Sequence, residues 1–244
     1  MRYGVSIAVM LAALTGCSST NSDGVSDPFE PVNRVMWDFN YHIVDPYLYR
    51  PTALFYAEYV PSPIRTGTAN FLANLDEPIS FVSTLLMGEG EIALDHFNRF
   101  WINSTFGIAG IFDVASAAGI VAEERQLGDT LGHYGVGHGP YLMIPFYGPT
   151  TFREGTGDIG GFFVPTLFDL NFYQGAAKWG LQGLDDRAAA VGQEPLIEAS
   201  PDSYIFVRDA YLQNRDFRAS GGEINLEQDE QDDEDLNEFI DEFE

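Results

Sequence analysis

Apolar residues recur every three or four positions along most of the chain and alternate in twos almost nowhere, which predicts a mainly α-helical protein. Asp27-Pro28 opens the first helical segment: Asp27 suits an N-cap, Pro28 the first helical position and Glu30 the far arm of a capping box. After Pro63, the residues Ile64, Phe71, Leu72 and Leu75 share one helix face. Pro78 predicts a restart, and Ile79, Val82, Leu85 and Leu86 form a second face closed by Gly88. Phe97, Phe100, Trp101 and Ser104 carry the spacing onward, with Asn98 and Arg99 off the stripe. The stretch 106–120 is small and apolar, and fits a tightly packed core helix and a membrane-facing helix equally well. The pattern breaks over 127–148, where Gly128, Gly132, Gly135, Gly137, Gly139 and Gly148 accompany Pro140 and Pro145; this density predicts an irregular, closely packed loop. A later helix is expected over 204–217, with Ile205, Val207, Ala210, Tyr211 and Leu212 available for burial. No internal repeat is evident.

The N-terminus changes the picture. Arg2 precedes an apolar stretch over 5–14, too short for the roughly 20 residues a bilayer span needs. It ends in Leu14-Thr15-Gly16-Cys17, which resembles the lipobox of bacterial lipoproteins, where the signal is cut before a cysteine that then carries lipid. Ser18, in place of the Asp that favours inner-membrane retention in that class, fits export to the outer membrane. Cys17 is the sole cysteine of the chain, so an intrachain disulfide and a cysteine-ligated metal cluster are excluded. The expected organisation is a signal peptide over 1–16, a lipidated polar tether over 17–26, a folded body over 27–222 and an acidic tail over 223–244.

Charge removes several function classes. The chain has 12 Lys and Arg against 37 Asp and Glu, a formal net charge of −25, so a nucleic-acid partner is not expected. Lys178 is its one lysine. The tail over 223–244 holds twelve acidic residues and no basic one, and self-repulsion predicts that it stays solvated and mostly disordered. Leu236, Phe239, Ile240 and Phe243 fall there at helical spacing, which leaves room for a helix induced on a partner. No 18-residue apolar run follows the signal, so no transmembrane helix is expected.

Catalytic signatures are missing. The sequence has no Gly-x-Ser-x-Gly elbow, no His-Glu-x-x-His motif and no phosphate-binding loop. His133 and His138 lie five apart, but spacing points out no third metal ligand, so no metal and no cofactor is expected beyond covalent lipid on Cys17. Asp113 and Asp129 are single carboxylates expected to cap or bond nearby backbone. Asn103-Ser104-Thr105 matches a glycosylation sequon, read as chance beside a bacterial lipobox.

Several ordered blocks carry a resemblance. They are Asp27-Pro28-Phe29-Glu30-Pro31-Val32-Asn33-Arg34 with Met36 and Phe39-Asn40; Asn70-Phe71, Asn74-Leu75 and Pro78; Arg99-Phe100, Asn103, Gly107, Gly110 and Asp113-Val114-Ala115. The longest runs unbroken over 128–141, from Gly128-Asp129-Thr130-Leu131-Gly132-His133-Tyr134 to Pro140-Tyr141, and on to Pro145 and Gly148. Arg153 and the 204–217 segment follow in order. Over about 27–222 the chain resembles the MlaA/VacJ family of outer-membrane lipoproteins.

The resemblance implies a mainly α fold: a single ring-like domain of short amphipathic helices around an amphipathic channel, with irregular Gly/Pro-rich loops, lying in the inner leaflet of the outer membrane. It implies a non-enzymatic role, in which mislocalised phospholipids leave the outer leaflet through the channel and pass to a soluble periplasmic lipid carrier, with an outer-membrane trimeric porin as membrane partner. Two other classes compete: an outer-membrane lipid hydrolase, which needs a nucleophile–base pair, and a structural lipoprotein, which needs no lipid-sized channel. The polar helix faces are poor in Lys and Arg, so attraction to anionic lipid cannot be the main anchor. Gly135, Gly137 and Gly139 alternate with Val136 and His138, a costly density unless the backbone needs positive φ or close approach. Either these residues make a tight turn, or they border the channel, with Leu142, Met143, Ile144 and Phe146 as its greasy wall and Phe39, Asn40 and Tyr41 contributing to its setting.

Overall fold

The structure, a computed structural model, describes residues 27–161 and 170–221. Cys17, the tether and the acidic tail lie outside the described residues.

Helix α1 (Glu30–Phe39) is capped at Phe29, and Pro31 sits in its first turn. The expected cap at Asp27 is not there. The Asp27 carboxylate is buried and accepts hydrogen bonds from Asn33 Nδ2 at 2.9 Å and the Tyr204 hydroxyl at 2.5 Å. Charge-assisted bonds in the interior win over an exposed cap. The chain continues as a π-helical stretch (Asn40–Tyr49) containing Pro46, then as α2 (Arg50–Tyr59). Pro46 has no N–H to give and its ring crowds the carbonyl four residues back, which favours the wider winding.

Helix α3 (Ser62–Met87) runs through Pro78, so the expected restart does not occur. An interior proline costs about 3 kcal/mol, and packing along α4 (Gly90–Thr105) offsets it. Gly88 ends α3 in the left-handed region at φ 84°, as its sequence position predicted. The stretch 106–120 is neither of the two helices expected of it. It forms a tight turn with Ile108 and Ala109 at φ 53° and 57°, followed by the single turn α5 (Val114–Ala117). Its small residues serve close backbone approach: a Cβ on Gly107 would lie 2.1 Å from the Phe112 carbonyl oxygen.

The segment expected to be an irregular loop is largely regular. It contains α6 (Leu127–His133) and an antiparallel hairpin, β1 (Tyr141–Ile144) and β2 (Gly148–Thr151), with Tyr141 opposite Thr151 and Ile144 opposite Gly148. Gly128 and Gly132 lie inside this helix, at positions where nothing larger fits. Added Cβ atoms would fall 2.3 Å from Glu154 Oε2 and 2.7 Å from Ala219 Cβ respectively. A capping box between Gln126 and Asp129 starts the helix despite its glycines. Helix α7 (Phe152–Gly161) follows the hairpin. Then come α8 (Phe172–Ala190), capped by Asn171, a 3-10 turn (Val191–Gln193), α9 (Glu194–Ala199) and α10 (Ser203–Ala219), the helix expected over 204–217. A compact apolar cluster of Trp37, Tyr141, Met143, Tyr204 and Leu212 joins α1, the hairpin and α10. The protein is a mainly α single domain.

Its amphiphilicity is inverted. The α3–α4 seam is polar: Glu77 Oε2 lies 2.6 Å from His96 Nδ1, Arg99 Nε donates to Glu77 Oε1 at 2.6 Å, and Asn74 Nδ2 donates to Ser104 Oγ at 2.9 Å. The apolar stripe on α4 faces outward, with Phe97 and Trp101 half exposed. Val32, Val35, Ile43, Phe55, Phe106 and Phe112 are also exposed. Among the described residues, buried polar and charged side chains outnumber buried apolar ones. A water-soluble domain does the reverse. No helix among the described residues is long and apolar enough to cross a membrane.

Candidate functional site

Six pieces of chain line a half-open cavity of about 920 Å³: the middle of α3, Phe100 of α4, the segment leading into α6, the hairpin loop, the end of α7 and one face of α8 with the two residues before it. Helical spacing explains the composition of its walls. Leu75, Pro78 and Ile79 fall on one face of α3; Phe172, Ala176 and Trp179 fall on one face of α8. Gly157 and Gly161 on α7 keep that wall thin. Gly157 also lets α7 touch α6, since a Cβ there would lie 2.2 Å from the Gly128 nitrogen. The hairpin loop contributes Tyr147, whose ring is parallel to that of Trp179 at 6° with centroids 6.0 Å apart.

A few charged groups interrupt this greasy surface. Lys178 bonds Asp76, and Gln182 Nε2 donates to the other Asp76 oxygen at 3.2 Å. Glu124 is open to the cavity but closely surrounded by protein. Desolvation, and after it the Asp76 charge, raises its carboxyl above the usual range. Asp158 is likewise raised, by desolvation first and then by Glu154, and it receives a long hydrogen bond of 3.5 Å from the Tyr147 hydroxyl. Apolar walls with a small number of fixed polar groups suit an amphiphilic ligand.

None of the twelve residues picked from the sequence lines this cavity. Asn40 brackets the hairpin loop: its Nδ2 donates to the Ile144 carbonyl and its Oδ1 accepts from the Phe146 N–H, both at 2.9 Å. The Phe39 ring meets the Phe146 ring edge-on at 5.4 Å, and the Tyr49 hydroxyl donates to the Phe146 carbonyl at 2.5 Å. These contacts hold Phe146 at φ 63°, where a non-glycine residue is strained. Tyr41 stacks on Trp37, with ring centroids 4.9 Å apart. Met143 is buried and its N–H donates to Asn33 Oδ1; Leu142 is half-buried and Ile144 exposed. Gly135 and Gly139 take positive φ, 80° and 67°. Gly137 does not, and a side chain there would meet open space, so neither cost expected of it applies. The Val136 and His138 carbonyls accept from Arg153 Nη1 and the Arg153 N–H respectively.

Several polar expectations are resolved by contacts. His138 Nε2 lies 2.8 Å from Asp216 Oδ1, while the His133 ring sits edge-on to Tyr134. Among the described residues no His, Cys, Asp and Glu group is arranged to hold a metal. Asp113 does cap α5, but it also has distant partners, Arg99 and Asn103; Asp129 pairs with Arg218 at 3.0 Å besides capping α6. Asn103, the sequon residue, is buried with its side chain bonded. Asp76, Glu124 and Asp158 escaped sequence reasoning because acidic residues are common in this chain. Lys178 was visible as the one lysine, set in a helix rich in Ala and Gly.

The architecture has known counterparts. The family described as MlaA lipoprotein matches residues 25–218. The intermembrane phospholipid transport system lipoprotein MlaA of Escherichia coli (strain K12) is 43% identical over 223 residues, covering 89% of each chain. The lipoprotein of the same description from Haemophilus influenzae is 40% identical over 224 residues, 87% of this chain and 88% of its own. A solved structure described as the structural basis for maintenance of bacterial outer membrane lipid asymmetry superposes with a TM-score of 0.77 at 45% identity, over 80% of this chain and 100% of that one.

Proposed function

The chain belongs to the MlaA lipoprotein family, and from that membership we propose that it works in intermembrane phospholipid transport, taking mislocalised phospholipids out of the outer leaflet of the outer membrane and handing them to a soluble periplasmic carrier. The inverted amphiphilicity of the fold carries this reading. Exposed aromatic and aliphatic side chains over a polar interior suit a body seated in lipid, with no helix among the described residues able to cross it. The cavity, greasy with a few charges, offers acyl chains and a headgroup surroundings that water and hydrocarbon each supply only in part.

Acyl chains on Cys17 would add the anchor, at about 0.8 kcal/mol per buried CH₂, and a trimeric porin would hold the body at its leaflet. Mass spectrometry of the mature N-terminus tests the first point; an unmodified Cys17 contradicts it. Surface labelling of phospholipid in a deletion strain tests the function. The expected result is phospholipid accumulating in the outer leaflet and clearing again when the gene is restored. Unchanged surface phospholipid together with altered lysophospholipid would favour a hydrolase instead.

A further inference from the structure

Helix α8 walls one side of the cavity, yet none of its 19 residues is buried. Phe172 and Tyr173 at its start are the most open, at 83% and 82% exposed. Elements with so little buried surface are the first to open. Among the described residues, the hydrogen bonds and ring stacking that fasten α8 to its neighbours divide around Gly180 and Gly183. Before Gly180 there are two: Lys178 bonds Asp76, and Trp179 stacks on Tyr147. Between the glycines, Gln182 Nε2 donates to Asp76 at 3.2 Å. Beyond Gly183 the hold is firmer. Arg187 forks onto Asp45, with Nε at 2.6 Å and Nη2 at 2.8 Å, and also meets Glu194, which Arg50 grips in turn; Asp185 lies 3.8 Å from Arg65. Packing does not call for the glycines, because a Cβ on Gly180 or Gly183 would meet nothing within 4 Å. Glycine weakens a helix interior, since its backbone has more freedom to lose, and it is a common bending point. The first turn of α8 is closed on itself by a capping box: Asn171 Oδ1 accepts from the Gln174 N–H at 3.1 Å and Gln174 Oε1 from the Asn171 N–H at 2.9 Å. That turn stays helical without a neighbour's help.

We propose that the first half of α8, Phe172 to Trp179, is a flap that swings about Gly180 and Gly183 and opens the cavity sideways to a phospholipid, while Arg187 holds the base of the helix in place. The proposal rests on the lipid-transport reading above and adds to it how the cargo enters and leaves. Phe172, Ala176 and Trp179 line the cavity from the swinging part, so its movement changes the mouth directly. Swinging breaks one ion pair and one ring stack. Moving the whole helix would also break the forked Arg187–Asp45 pair and its link to Glu194, so bending in the middle is the easier motion.

Two measurements on the full-length lipoprotein, purified in detergent, test the flap. In hydrogen exchange followed by mass spectrometry, amides over 172–179 should exchange about tenfold or more faster than those of α3. In the second, the protein is loaded with phosphatidylglycerol carrying a fluorescent acyl chain, and release into an excess of unlabelled lipid is timed. Replacing both hinge residues, Gly180→Ala with Gly183→Ala, adds only methyl groups that meet open space, so the protein should fold. Its melting temperature should rise by about 1–4 °C for each replacement, and lipid release should slow by about fivefold. A change that stabilises the protein and impairs release is not what a purely structural helix predicts. Release at the wild-type rate from the folded double variant overturns the flap and leaves the transport reading standing. Exchange over 172–179 as slow as in α3 overturns it too. Uptake of no labelled lipid by the wild-type protein removes the transport reading and the flap's cargo with it.

Discussion

The rings of Tyr147 and Trp179 lie parallel, 6.0 Å between centroids, and join the hairpin loop to α8 across the cavity wall. Such a pair contributes about 0.5–1.5 kcal/mol beyond the area it buries. Trp179→Ala is therefore expected to lower the melting temperature by a few degrees, on the order of 2–4 °C per kcal/mol for a domain of this size, and to raise surface phospholipid in complemented cells. Trp179→Phe should restore most of both. Normal lipid clearance by a folded Trp179→Ala protein would place the lipid path elsewhere.

Asp27 sits at the other end of the scale of burial. Its carboxylate is shared by Asn33, Tyr204 and, at 3.5 Å, the buried Arg208. Asp27→Ala takes the acceptor from the Tyr204 hydroxyl and one contact each from Asn33 and Arg208, which keep Tyr141 and Asp209; it should cost ~3–5 kcal/mol, with a fall in melting temperature on the order of 10 °C. Asp27→Asn keeps hydrogen-bonding atoms in place and should lose less. Thermal denaturation of the two variants checks the order; equal losses would mean that shape and not hydrogen bonding is what Asp27 supplies.

Two glycines should behave oppositely. Gly157 meets the backbone of Gly128 so closely that even Gly157→Ala must separate α6 from α7, and the folded yield should collapse. Gly137→Leu enters open space at an ordinary φ and should fold, with transport retained. A folded Gly137→Leu protein that fails to clear surface phospholipid would put the 135–139 segment on the lipid path after all.

Acid should separate two glutamates by sign. Hydrogen bonds from Arg50 and Arg187 hold Glu194 down to about 2, against an ordinary 4.5. Its folded value is depressed, so its contribution to stability is present above pH 4.5 and is lost as pH falls from there toward 2. Glu194→Gln should reduce the stability lost over that window. Glu124 runs the other way. Its folded value is raised by desolvation and by Asp76, so its charge destabilises the fold at neutral pH, and acid relieves the cost. Glu124→Gln should raise the melting temperature at neutral pH and show no such gain in strong acid. Melting curves across pH for both variants test the signs.

Local chemistry wrote part of this protein plainly. The apolar run that ends in the lipobox-like Leu14-Thr15-Gly16-Cys17 is short and contiguous, and the helices around Leu85, Trp101 and Leu212 follow from a period of 3.6 that needs no knowledge of distant residues. Gly88 marked the end of α3 because a left-handed residue was needed at one place in the chain. The family blocks, read in order, placed the whole body. What periodicity could not say is which face of a helix goes inside, because a stripe records two surfaces and not the solvent each one meets. On α4 the structure turns His96 and Asn103 inward and Phe97 and Trp101 outward. Asp27 looked like a cap until Tyr204, 177 residues away, was brought to its carboxylate. Gly128 and Gly132 looked like loop residues until Glu154 and Ala219 were packed against them. The cavity belongs to the same class: Leu75, Glu124, Asp158 and Trp179 stand far apart in sequence, and only the packing of α3, α7 and α8 puts them around one space. Contacts between distant segments carry no periodic signature, so the tertiary structure alone decided where this protein keeps its charges and which apolar side chains it leaves exposed.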